Sequence, residues 1–264
     1  MPRVIASLRA VTAIARVTFS EILRDRVLYG ALIISGSLLI LGALVSGLSF
    51  IRPERILLDF GIFGLAFSGA FLAILAGAVV IAREFDRRTI FMALARPISR
   101  LEFIAGKYAG VASMVLLNSA VLSLGFVLVM RLLPEGGALL GFTFFQALGL
   151  LAVQALLLAA LALFFASFST PSLSIVMALG LYLIGVNVSQ VQLLAARQGA
   201  GAFRFLLDAL ATVLPNFEHF NLGLKVSYGI AVPASFVLTA IAYAGVWIMV
   251  LLGLAGVFLE RKES

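Results

Sequence analysis

Long apolar runs alternate with short charged stretches along the chain. The runs are Leu28–Ser49, Phe60–Ala82, Tyr108–Met130, Phe144–Phe168, Ser172–Val191 and Ala234–Leu259. Each approaches or exceeds the roughly 20 residues that a helix needs to cross about 30 Å of hydrocarbon, and their interiors carry almost no charge. The pattern predicts an all-α polytopic membrane protein with six transmembrane helices. Pro171 separates the fourth and fifth runs by only a few residues, which predicts a tight turn.

Residues 3–26 follow a different pattern. Arg3, Arg9, Arg16, Arg24 and Arg26 are interleaved with Ile5, Leu8, Ile14, Val17, Phe19, Ile22 and Leu23. Helical spacing gives a polar stripe at Arg9 and Arg16 and a broad apolar face. This suits a helix lying in the membrane interface, with its arginines reaching headgroups. The competing reading is a cytoplasmic helix packed on other protein.

The central stretch 83–107 holds Arg83, Arg87, Arg88, Arg96, Arg100 and Lys107 between two nearly uncharged runs. Arg83 to Ala95 reads as a short amphipathic helix with Phe85, Ile90, Phe91 and Leu94 as its apolar set. Arg96-Pro97 breaks it. Ser99-Arg100-Leu101-Glu102 then has the form of a capping box, in which Ser99 and Glu102 satisfy each other's backbone N–H. A helix starting there runs through Gly106-Lys107 into the third span. Helix, proline break and capped helix make a rigid docking element; the plainer reading is a solvated loop that only obeys charge topology.

Charge then sets the expected orientation. With both termini and the 83–107 loop inside, thirteen of the nineteen Lys and Arg residues lie on the cytoplasmic side. The outer set is Arg52, Arg55, Arg131, Arg197, Arg204 and Lys225. The hydrophobic fraction of 63% and net charge of +7 fit a multi-pass protein of the cell (inner) membrane in contact with lipid, not a nucleic-acid binder. The spans use up most of the 264 residues, so the whole chain, 1–264, is expected to form one transmembrane domain with no soluble catalytic unit. A cleaved leader is not expected, because the first apolar run begins only near Leu28 and is long enough to span.

Two outer stretches, Ile51–Asp59 and Arg131–Thr143, read as short loops. The stretch 192–233 is long and semi-apolar, and a loop of that length usually carries structure or function. Phe203–Leu214 looks like a short amphipathic helix ending before Pro215. Phe217, Phe220 and Leu222 suit a lid or a partly re-entrant segment, which is tolerated only where protein or water shields its backbone.

In the second run, Gly69, Ala73 and Gly77 recur every four residues, as do Gly64 and Ser68. Small residues on one face let helices approach closely in lipid. The stripe reads either as a subunit interface or pathway wall, or as ordinary packing within one subunit. Neutral polar groups inside the spans are Asn118, Gln146, Gln154, Tyr182, Asn187 and Gln190. They serve as helix–helix glue or line a path, with Asn118, Asn187 and Gln190 the pathway candidates.

The chemistry absent from the sequence narrows its function. With no cysteine there are no disulfides or thiolate metal sites. There is no GxxxxGK[ST], HExxH or GxSxG pattern, and no pair of intramembrane carboxylates. His219 beside Glu218 is the sole histidine; a loop hydrogen-bonding role outweighs metal ligation there. No metal or cofactor is expected, and transport needs an external source of energy. The rivals are a non-transporting membrane anchor or assembly factor, and an intramembrane enzyme, which the missing acid–base residues disfavour.

The central loop carries a likeness. Glu84, Arg88-Thr89, Leu94-Ala95-Arg96-Pro97-Ile98-Ser99-Arg100, Glu102-Phe103 and Gly106-Lys107-Tyr108 resemble the loop of the ABC-2 type transporter permeases. Arg88 stands where such permeases often have glycine. The layout of interfacial helix, six spans and long outer fifth–sixth connection is similar as well. Pro215-Asn216-Phe217 is reminiscent of the subgroup linked to multicopper-enzyme maturation, such as the nitrous-oxide reductase assembly system. The resemblance implies the ABC-2, type V exporter-like permease fold and a half-transporter. This chain would pair with a second copy or a sister permease and with two cytoplasmic ABC ATPase subunits that bind the ATP and Mg. The chain itself would then not be an enzyme. Glu84, Phe85, Arg87, Arg88, Phe91 and Arg96 are implied ATPase contacts, and Pro97, Ser99 and Glu102 are implied to set the loop's geometry.

Overall fold

The computed structural model describes residues 2–48, 53–86, 99–132, 136–197, 204–205 and 214–263. Among these, every regular element is helical. In chain order they are α1 (Pro2–Leu23), α2 (Arg26–Gly47), α3 (Pro53–Asp86), α4 (Arg100–Leu132), α5 (Phe142–Phe168), α6 (Pro171–Gly185), α7 (Val188–Arg197), α8 (Gly223–Ser227) and α9 (Ala234–Glu263). Single 3₁₀ turns occur at Gly136–Leu139 and Glu218–Phe220.

Among the described residues five helices are long and apolar enough to cross a bilayer, and the count is six where α6 and α7, bent by 69° at their break, are taken as one span. The protein is therefore an all-α multi-pass membrane protein. α3 and α5 are its most buried helices. α2 packs on α3, α9 on α5, and α1 on α4. Exposed leucine, isoleucine and methionine side chains, such as Ile33, Ile40, Leu238 and Met249, line the outer faces of α2 and α9, as expected where the surrounding solvent is lipid.

Two boundaries differ from those expected. The second spanning helix begins at Pro53, not Phe60, so 53–59 is helix instead of loop. Proline at the first helical turn has the right φ already and gives up an N–H that the helix does not use, and Glu54 in that turn suits the positive end of the dipole. The fifth run does not continue straight to Val191. α6 alone has 15 residues, about 22 Å, too short to cross the hydrocarbon. At the break, the Val186 and Asn187 N–H groups donate to Tyr182 O and Ile184 O, and the Gly185 carbonyl accepts from Phe217 N–H at 2.8 Å. A side chain at Gly185 would run into Phe217 and the Pro215 carbonyl, so this glycine admits the returning segment. Pro171 does open α6, at its first position behind Thr170.

The long connection 192–233 is partly visible. α7 occupies its start. Residues 214–232 fold back against the bundle with Phe217, Phe220 and Leu222 buried, and Asn216 N–H donates to Tyr243 Oη of α9 at 2.9 Å. The helix expected at Phe203–Leu214 lies, apart from 204–205 and Leu214, outside the described residues.

Close approach holds the bundle together. Gly69, Ala73 and Gly77 of α3 form a small-residue face. A Cβ at Gly69 would lie 3.1 Å from Ala155 Cβ, and one at Gly77 would lie 2.9 Å from both the Ala159 carbonyl and Ala162 Cβ. This face is thus filled by alanines of α5 in the same chain. Polar bonds add to it. Ser35 Oγ donates to Gly64 O at 3.1 Å, Ser68 Oγ to Ala31 O at 3.3 Å, and Asn118 Nδ2 to Ser68 Oγ at 3.1 Å. Together they tie α2, α3 and α4. Such bonds contribute about 0.6 kcal/mol each on average in membranes, because the separated helices find other partners.

Candidate coupling site and outer cleft

At one end of the bundle, α3 carries Glu84 and Phe85 within its last turn. Their side chains, and all of Arg87, Arg88, Phe91, Arg96 and Pro97, lie outside what is described. The far side of the loop is described in atomic detail. Ser99 N–H donates to Glu102 Oε2 at 2.8 Å and Glu102 N–H to Ser99 Oγ at 3.3 Å, the reciprocal capping box expected from the sequence. Phe103 N–H donates to Ser99 O at 3.0 Å, closing the first turn.

α4 has 33 residues, about 50 Å, so its first turns protrude beyond the roughly 30 Å hydrocarbon layer. There the Glu102 carboxylate also accepts a hydrogen bond from Ser7 of α1. That bond, with those from the Ser99 backbone and side chain, holds its carboxyl below the ordinary range. The cap and α1 therefore share one carboxylate.

α1 is pressed against α4 further along. A Cβ at Gly106 would lie 2.8 Å from Ile14 Cβ and 3.2 Å from Val11 O. At Gly110 it would lie 2.5 Å from Thr18 Cβ and 2.8 Å from Ala15 O. Sequence reasoning missed this contact, although Gly106-Lys107-Tyr108-Ala109-Gly110 is a plain GxxxG. The expected interfacial helix is thus packed on protein along Ile14, Thr18 and Ile22, with Arg9, Arg16 and Ser20 turned outward. Lys107 between the two glycines is only 2% exposed, with Nζ 5.7 Å from the Phe103 ring centre. Cap, GxxxG contact and shared carboxylate make α1 and the head of α4 one mechanical unit.

The opposite end holds a cleft of about 780 Å³ between α3, α6 and the returning segment, floored by Gln154 of α5. Phe63 and Phe67, stacked 6.1 Å apart on α3, face Leu179 and Leu183 across it. Asp59, Asn221 and Glu218 stand among its polar lining. Asp59 accepts from Ser227 Oγ at 3.0 Å. The Glu218 carboxylate accepts from Ser189 N–H at 2.8 Å and from Ser189 Oγ, so it closes the amino end of α7. Gln154 donates to Tyr182 Oη at 3.3 Å, while its own Oε1 has no partner.

The polar residues singled out in the sequence separate here. Asn187 and Gln190 line this cleft and are exposed; Asn187 Nδ2 also donates to Leu183 O at 2.8 Å across the helix break. Asn118 lies apart, buried in the α2–α3–α4 contact. Among the described residues no cluster of three His, Cys, Asp or Glu could hold a metal. The His219 ring stacks 6.0 Å from that of Tyr243.

No curated protein matches the sequence. A match to a protein family does exist: that of the ABC-2 family transporter proteins, over residues 35–264, which begins within α2 and takes in the charged central loop and every later helix. The chain therefore belongs to the ABC-2 family of transporter membrane proteins.

Proposed function

We propose that this chain is the permease half of an ATP-driven exporter. Two cytoplasmic ABC ATPase subunits grip the 83–107 loop of a pair of permeases, and their closure moves α1 and α4 as a body. Two-state movement requires a contact that differs between the states. The observation that carries this reading is the α1–α4 unit next to the loop, capped through Ser99 and Glu102 and locked through Gly106 and Gly110. A slack loop could not pass on a push; a clamped helix pair can. The energy source must be external, because the sequence holds no phosphate-binding loop. The thirteen of nineteen basic residues on the loop side support a cytoplasmic loop and cytoplasmic termini in the inner membrane.

Phe91→Asp and Arg88→Glu test the reading. Both variants should insert normally and lose co-purification with the partner ATPase. Retained ATPase binding and stimulation in both would refute the coupling assignment. A reconstituted complex whose spans never change accessibility during turnover would favour a static anchor instead.

A further inference from the structure

The outer cleft has a chemistry of its own. Its walls are apolar, and its volume of about 780 Å³ lies in the range of small-molecule sites. Among the described residues its lining includes two carboxylates, Asp59 and Glu218, and no lysine or arginine. Two cations of neighbouring segments face aromatic rings: Lys225 Nζ lies 4.4 Å from the Phe236 ring centre and Arg55 5.5 Å from that of Tyr228. Each carboxylate spends hydrogen bonds on one serine and has acceptor capacity left, since an ionised carboxyl offers about four lone-pair sites.

A second observation is independent of charge. Gln154 is 5% exposed and lines the cleft, and its Oε1 accepts from nothing. It sits twelve residues into α5 from Phe142, about 18 Å along the helix. A buried acceptor left without a donor is costly, so a hydrogen bond to Gln154 Oε1 from a bound molecule would be favourable at this depth. Polar lining at the mouth, aromatic walls and a lone acceptor below them describe an elongated amphiphile.

We propose that this cleft binds a single-chain amphiphile with a protonated amine head. The head is held by Asp59 and Glu218, and the tail lies along Phe63, Phe67, Leu179 and Leu183. A hydroxyl or amide partway down the chain donates to Gln154 Oε1. Anionic headgroups are disfavoured by the same carboxylates. That the bound amphiphile is cargo rests on the exporter reading; that it binds does not.

The test uses the full chain in nanodiscs, without an ATPase. Three probes of equal length are titrated: an alkylammonium with a mid-chain hydroxyl, its deoxy counterpart, and the hydroxylated alkyl sulfate. The hydroxylated ammonium should bind about tenfold tighter than the sulfate and about fivefold tighter than the deoxy amine. Asp59→Asn, which keeps an acceptor for Ser227, should erase most of the first preference, and Gln154→Leu the second. Leu183→Trp should block all three. Equal binding of ammonium and sulfate by the unaltered chain, or binding undisturbed by Leu183→Trp, overturns the proposal. A hydroxyl preference that survives Gln154→Leu means water alone meets the Gln154 acceptor, and overturns that part. If the ammonium binds as expected but never alters turnover of a reconstituted ATPase complex, the cleft stands and the amphiphile is not its cargo.

Discussion

Placing a methyl group at Gly110 should separate the helices on which coupling depends. The added Cβ would lie 2.5 Å from Thr18 Cβ and 2.8 Å from Ala15 O, whereas carbon atoms rest at about 3.5–4.0 Å. α1 must therefore retreat by about 1 Å. A gap of that size forfeits up to half of each contact's attraction along the interface, and overpacking of this kind costs about 1–3 kcal/mol. Gly125 on the same helix is the control, because nothing lies within 4 Å of its would-be Cβ. In purified protein, Gly110→Ala should lower the thermal midpoint by about 2–4 °C per kcal/mol lost, while Gly125→Ala leaves it unchanged or slightly raised. In the reconstituted complex, Gly110→Ala should cut transport per ATP while ATPase binding persists, because the loop would still be gripped but its push would be lost in a loosened α1. Equal stability and equal coupling in the two variants would refute the idea that α1 and α4 act as a unit.

Other outcomes follow from the same geometry. Asn118→Leu removes one bond to Ser68, which keeps its bond to Ala31 O, and also removes an unpartnered oxygen; the loss should be below about 1 kcal/mol, with transport intact. Abolished activity in a folded Asn118→Leu protein would instead point to an intramembrane enzyme. Glu218→Gln weakens the charged bonds to Ser189, so spin labels on α6 and α7 should report a broader distribution about the 69° bend; an unchanged distribution would show that the carboxylate does not hold the hinge. Because Glu102 titrates below its ordinary range, its cap is in place at neutral pH and is lost only as pH falls through that depressed value. Protection of the amides at the start of α4 should be full above the ordinary glutamate range and decline as pH falls from there through the depressed value, and Glu102→Gln should remove that acid-side step.

Much of this architecture could be read in the residue pattern, for identifiable reasons. The six apolar runs stand out because lipid demands some twenty uncharged residues at a time, and Ser99 with Glu102 stands out because reciprocal capping needs those two types at that spacing. What escaped notice involved weaker contrasts. Pro53 to Asp59 is charged enough to resemble a loop, yet continues α3 for two turns. The break after Gly185 depends on Phe217, some thirty residues away, taking a carbonyl out of the helix; no local pattern announces it. The docking of α1 was obscured because its arginines suggested headgroups, while the partner glycines sat inside the GK motif. The orphaned oxygen of Gln154 is a matter of neighbours and could be found only in three dimensions.

The account turns on the loop lying in the cytoplasm within an ATPase's grasp. The chain contains no cysteine, so a single Ala95→Cys substitution gives an unambiguous reporter for a membrane-impermeant maleimide. The account predicts labelling in inside-out vesicles, protection when the partner ATPase is bound, and none in intact cells. Labelling of intact cells from outside would contradict it.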